Sequence, residues 1–186
     1  MQPGFLELTE ELNALDYFEK AVHFMHEAEC SDWAWKWVTI SLHGALYGFA
    51  VCASQGTDSR SVHKAPGKTG RGREKLLSFN EVLLRCEKGC SGKPLILSEE
   101  ERMAISVLKE PLRNRFEHYQ PCHWSIGLRG FPQLCLHCVR VIETLATETS
   151  IWVHLKPSEA LRVKDLAKEA RDLLQMMLTE VEPRAT

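Results

Sequence analysis

The sequence predicts an all-α protein, an up-and-down helical bundle of five or six helices. Three observations carry this expectation. Apolar residues recur at spacings of three and four through most of the chain. Cap and breaker residues punctuate these runs at helix-like intervals. Strand patterning is confined to Ile151-Trp152-Val153-His154-Leu155, which alternates apolar and polar residues but stands alone.

The elements follow in order. Leu8, Leu12, Leu15, Phe18, Val22 and Met25 predict an amphipathic helix of about six turns, with acids at its start where the helix dipole favours them. Ser31 or Asp32 is placed to cap a second helix. On it Trp33, Trp37, Ile40, Gly44, Tyr47 and Val51 make one stripe, while Leu42, Leu46 and Phe49 add a second apolar face. A helix apolar on two faces belongs in the centre of a bundle. Gln55 to Lys75 breaks the pattern with four glycines and Pro66, and reads as a long mobile loop.

Leu76 to Cys86 predicts a helix that closes near Gly89. Ser98 with Glu101 is a capping box and opens another. Pro111 should kink that helix or restart it, because proline lacks the N–H and crowds the preceding turn. Phe131 to Thr147 is helical again, with Leu134, Cys138, Val141 and Leu145 on one stripe. Ser158 is expected to cap a last helix bearing Val163, Leu166, Ala170, Leu173 and Met177. Residues 1–150 thus form the bundle with its basic loop 55–75, and residues 151–186 a C-terminal helix packed on it or extending it.

A chain of 186 residues that is 44% hydrophobic can build one real core. The formal net charge of −2 excludes a polycation, so nucleic-acid binding would need a local patch. One exists: from Arg60 to Lys75 there are six Lys or Arg against the single acid Glu74. Lys64, Lys68, Arg71 and Arg73 are candidate contacts to an RNA backbone, since such cations displace phosphate counterions. A solvated surface loop is the alternative. Ala65-Pro66-Gly67-Lys68-Thr69 is no nucleotide-phosphate loop, because Val62 stands where that pattern needs glycine and no strand leads into it.

Met1 to Glu11 lacks a basic start followed by an apolar run, so no secretory leader is expected. The longest apolar candidate, Val38 to Ser54, is interrupted by Ser41, His43, Gly44 and Gly48, so no membrane association is expected. Seven cysteines scattered through helical text point to a reducing cytoplasm. Cys86-x-x-x-Cys90 and Cys135-x-x-Cys138, with His137, and His123 beside Cys122, could supply zinc ligands. Small buried thiols on an amphipathic helix are the simpler reading, so no metal and no cofactor are assigned. Trp33, Trp35 and Trp37 alternate; core or interface packing is preferred for them over a base-stacking platform. His23, His26 and His43 have no second ligand set nearby and are taken as structural or exposed.

The candidate active site is Arg113-Asn114-Arg115-Phe116-Glu117-His118. Arg followed five residues later by His is common by chance. Requiring Asn after the Arg sharpens the pattern, because the chain holds only three asparagines, and the chance expectation falls to about one in a hundred. This hexapeptide, just after Pro111 on a late helix, resembles the Arg-Asn-x-x-x-His motif of HEPN domains. The likeness in helix pattern extends over roughly residues 8–148.

The resemblance implies a metal-independent endoribonuclease, in a toxin–antitoxin or defence setting. His118 would serve as general base or acid, Arg113 would stabilise phosphorane charge, and Asn114 would orient His118 or the phosphate. Arg115 adds an RNA-facing cation. The implied partners are RNA, a second copy of the chain, and an antitoxin or nucleotidyltransferase-like protein. The alternative is a non-catalytic bundle of the same kind that binds a nucleotide, an RNA or a protein.

Helix phase constrains the site. Asn114 and His118 are i,i+4 and share a face, whereas Arg113 and His118 stand about 140° apart on a regular helix. They converge only if Arg113 sits in a distorted turn or if two subunits pair. Arg113 and Glu117, also i,i+4, could simply form a surface ion pair. In the toxin subgroup a Tyr stands two residues after the His; here Tyr119 follows His118 directly and Gln120 holds that place.

Overall fold

The computed structural model describes residues 4, 6–56, 59–64, 75–90, 92–118, 121–149 and 153–181. Lys68, Arg71, Arg73, Tyr119, Gln120, Ile151 and Trp152 lie outside them. The protein is an all-α bundle: α1 (Glu10–Glu27), α2 (Ala34–Gln55), α3 (Phe79–Glu87), α4 (Glu99–Val107), α5 (Asn114–Glu117), α6 (Phe131–Thr147) and α7 (Pro157–Val181). A 3-10 turn spans Ser59–Val62, and a π-helical stretch, Leu108–Arg113, joins α4 to α5. Among the described residues the only β pairing is an isolated antiparallel bridge between His63 and Leu76.

Helix α2 is the central element. It packs against α1, α3, α6 and the π-helical stretch, while α7 closes the bundle against α1 and α6. Its interior face is Val38, Leu42, Ala45, Leu46, Phe49 and Ala50, all fully buried. The Trp33 stripe is divided: Trp33 is 80% exposed and Trp37 46%, whereas Ile40, Gly44 and Tyr47 are half-buried and Val51 is buried. The second apolar face therefore enters the protein only beyond Trp37, toward its C-terminal end. Phe24 stacks on Trp37 at 6.0 Å and Lys36 lies over the same ring at 4.9 Å, which gives that tryptophan a surface role.

Helix α2 is also apolar and long enough to span a membrane by composition alone, with 72% of its apolar window buried inside the protein. The close approach of α1 to α2 depends on Gly44 and Gly48. A methyl group at Gly48 would sit 2.7 Å from the Ala14 Cβ, and one at Gly44 would meet the Tyr17 ring at 2.5 Å.

Several boundaries differ from the sequence reading for identifiable reasons. Leu8 precedes α1 and is 59% exposed, because the Thr9 side chain caps the helix by accepting from the Leu12 N–H at 3.2 Å. The N-cap position of α2 is Trp33, without a side-chain cap bond, so neither Ser31 nor Asp32 caps it. Helix α3 starts at Phe79, not Leu76; Ser78 and Glu81 form its capping box, and Leu76 instead pairs with His63. Helix α7 begins at Pro157, where a fixed φ favours the first turn, and Glu159 accepts from the Lys156 N–H at 2.8 Å. Ser158 therefore lies inside the helix.

Other expectations agree with the structure. Gly89 closes α3 at φ 65°. The capping box of α4 pairs Ser98 with Glu101, whose carboxylate is almost wholly buried and meets Arg140 of α6 at 2.9 Å. Helix α6 has the expected bounds, and Val163, Leu166, Ala170 and Leu173 of α7 enter the core.

Candidate functional site

Pro111 shapes the site. It cannot donate to a helical carbonyl and its ring crowds the turn before it, so the α register fails and a wider turn forms. The Asn114 N–H reaches back to the Lys109 carbonyl, one residue further than in an α-helix. Leu108 and Leu112 anchor the widened turn in the core. Regular hydrogen bonding resumes in α5, where the His118 N–H meets the Asn114 carbonyl at 2.9 Å. His118 then leaves the helix in extended conformation, φ −103° and ψ 107°.

This turn delivers Arg113 into a cleft of about 460 Å³ between α1 and α2. Its walls include Asn13 and Tyr17 of α1, and His43, Gly44, Tyr47 and Gln55 of α2. Val62, His63 and Leu76 line it as well, as does Glu117. The Arg113 guanidinium is divided among neighbours. Nη2 pairs with Glu117, Nη1 donates to Asn114 Oδ1 at 3.1 Å, and Nε is buried without a partner among the described residues. Asn114 Nδ2 donates to Glu110 at 3.2 Å. Lys109 bonds the same Glu110 at 2.5 Å and holds its carboxyl below the usual range.

The six-residue motif is therefore only partly assembled in one chain. Arg113 and Asn114 touch. His118 is exposed, is not among the cleft-lining residues, and meets Asn114 only through its backbone N–H, its ring bonding neither side chain. The distorted turn anticipated after Pro111 exists, but it turns Arg113 toward α2. Asn114 is held by Arg113 and Glu110 and does not orient His118. The ion pair of Arg113 with Glu117 is present, half-buried at the cleft and not on an open surface. Arg115 and Phe116 face away from this cleft and line a second groove with Trp33 and Trp124. Lys64 is paired with Glu81 at 3.1 Å. The Ser78 hydroxyl and N–H, then Lys64, hold that carboxyl down to about 2.

The sequence reading missed His43 as a site residue. It is 7% exposed, lies against the Phe79 ring at 5.1 Å, and has no partner for Nε2 among the described residues. Burial lowers its pKa to about 4, with smaller contributions from Arg113 and Lys109, so the ring is neutral at pH 7. A neutral imidazole beside an arginine can donate or accept a hydrogen bond without repelling the guanidinium. No local spacing could have revealed this neighbour, because it depends on how α2 meets the π-helical turn.

The zinc candidates are dispersed. Cys86, Cys135 and Cys138 are buried, Cys90 and Cys122 are exposed, and His137 bonds Gln133 at 2.9 Å. Burial pushes the Cys86 thiol up to about 12 and raises Cys135 and Cys138 as well. Among the described residues no three His, Cys, Asp or Glu side chains converge as a metal set.

Comparison with protein-family models, with curated proteins and with solved structures gives no match for this chain.

Proposed function

We propose that this protein is a metal-independent endoribonuclease of HEPN type that acts as a homodimer. One observation carries the reading: the π-helical turn directs Arg113 into a cleft, in contact with Asn114, while the same short helix ends on an exposed His118. These are the three polar groups of the motif: Arg113 ends the π-helical stretch that Leu112 anchors in the core, Asn114 opens α5, and His118 follows it. In RNA the 2′-oxygen attacks the adjacent phosphorus and the bond from phosphorus to the 5′-oxygen breaks. His118 takes the 2′-OH proton or protonates the departing 5′-oxygen. The Arg113 fork neutralises charge gathering on the phosphorane. The products are a 2′,3′-cyclic phosphate and a 5′-hydroxyl. A second copy would bring its His118 to the Arg113 of the first, which answers the phase mismatch within one chain.

The test is to incubate single-stranded RNA with the protein in EDTA, beside Arg113→Ala and His118→Ala. Cleavage lost in both variants is the expected result. Cleavage retained in both, or absent from the unsubstituted protein, overturns the reading.

A second reading has its own support. The cleft that holds Arg113 is lined by His43 and not by His118. That arrangement suits a bundle that binds a phosphate-bearing ligand without cutting it, and binding without cleavage in the same assay would favour it.

A further inference from the structure

Helix α5 separates two recesses. Arg113 and Glu117 line the cleft already described, while Arg115 and Phe116 line a groove of about 460 Å³ on its other side. In that groove Phe116 packs against Trp124 with ring centroids 5.3 Å apart, and the Arg115 guanidinium lies over the Trp124 ring at 5.4 Å. Trp33, 80% exposed, also lines the groove, as does Lys36. The charges lining it are two cations, Arg115 and Lys36, against the single acid Asp32. An indole left in water at the mouth of a cationic, aromatic-walled groove has the chemistry of a stacking site for a flat ring carried on a polyanion.

We propose that this groove is a nucleobase subsite that holds an unstacked base of single-stranded RNA against Trp33 and Trp124. The inference rests on the reading of RNA as the ligand at Arg113. The chain from Arg113 through Arg115 to His118 would then grip the strand from both sides of one helical turn, phosphate on one side and base on the other. Charge complementarity selects a polyanion for the groove over an apolar peptide. Every base has a π face, so this subsite would confer grip and register more than sequence choice.

The probe is a short 2′-O-methyl oligouridylate, which cannot be cleaved by 2′-oxygen attack, compared with an abasic strand of equal length. Tryptophan emission and strand anisotropy are read on the full chain. The base-bearing strand is expected to quench emission and to bind about tenfold more tightly than the abasic one, and Trp33→Ala is expected to remove most of that difference. Arg115→Ala should weaken both strands and flatten the salt dependence by about one counterion. Equal binding of the two strands overturns the proposal. So does unchanged discrimination in a folded Trp33→Ala variant, or conversion of a dimer to monomer by that substitution, which would mean a second copy fills the groove. Base-dependent binding by a protein that cuts no RNA upholds the subsite and removes the ribonuclease reading. Cleavage without base discrimination does the reverse.

Discussion

Arg113 and His43 share the wall of one cleft, and each carries a buried nitrogen, Arg113 Nε and His43 Nε2, with no hydrogen-bond partner among the described residues. A buried polar atom without a partner costs stability, and a ligand that supplied one would recover that cost.

The neutral state of His43 should be visible in the acid stability of the protein. Its folded-state pKa of about 4 lies below the ordinary 6.5, so the unfolded chain binds a proton that the folded one refuses. Stability from this group is complete above pH 6.5 and is lost as pH falls toward 4. Urea unfolding from pH 7 to pH 4 should show a loss that His43→Gln reduces, by up to about 3 kcal/mol. An identical pH slope in the variant would show that the folded protein lets the ring take up a proton as readily as the unfolded chain does.

Subunit pairing can be read by complementation. Arg113→Ala and His118→Ala, each inactive alone, should regain about a quarter of the original cleavage when mixed, because in a symmetric dimer half of the assemblies are mixed and each then holds one intact site. Mixing without recovery would place both groups of a site in the same chain.

Glu117 competes for the cation that a phosphate would use. Glu117→Gln should free one arm of Arg113 and strengthen binding of an uncleavable RNA by about two- to fivefold, with a salt slope steeper by about one. Filter binding across a salt series measures both. Weaker binding in the variant would show that Glu117 positions Arg113 and does not mask it.

The contact between α1 and α2 makes Gly48 intolerant. Gly48→Ala would drive a methyl group against the Ala14 Cβ and its backbone, forcing the helices apart at a cost of about 1–3 kcal/mol, only partly offset by better helix propensity. Gly44→Ala should cost less, since the obstruction is the Tyr17 side chain, which can rotate. Thermal melts of the two variants should rank in that order.

Thiol titration should divide the cysteines by burial. Cys30, Cys90 and Cys122 are exposed and should react quickly with an aromatic disulfide in the native protein. Cys52, Cys86, Cys135 and Cys138 are buried, with thiol pKa values raised by burial, and should react only on unfolding.

The sequence by itself determined the helical class and much of its punctuation. The apolar period of α6, the Ser98–Glu101 capping box, the stop at Gly89 and the break at Pro111 all follow from local backbone chemistry, which acts over one or two turns. The Asn114 match and the Arg113–Glu117 pairing are local as well. Tertiary packing alone decided which face of α2 enters the core, since Trp33 and Leu42 are equally apolar as text and only neighbouring helices choose between them. It also decided that Arg113 turns toward His43 and away from His118. The six-residue motif states which groups are available; a wide turn at Pro111 and the position of α2 determine where each one points, because side-chain direction depends on the helix phase and on the partner surface, neither of which is written in the spacing.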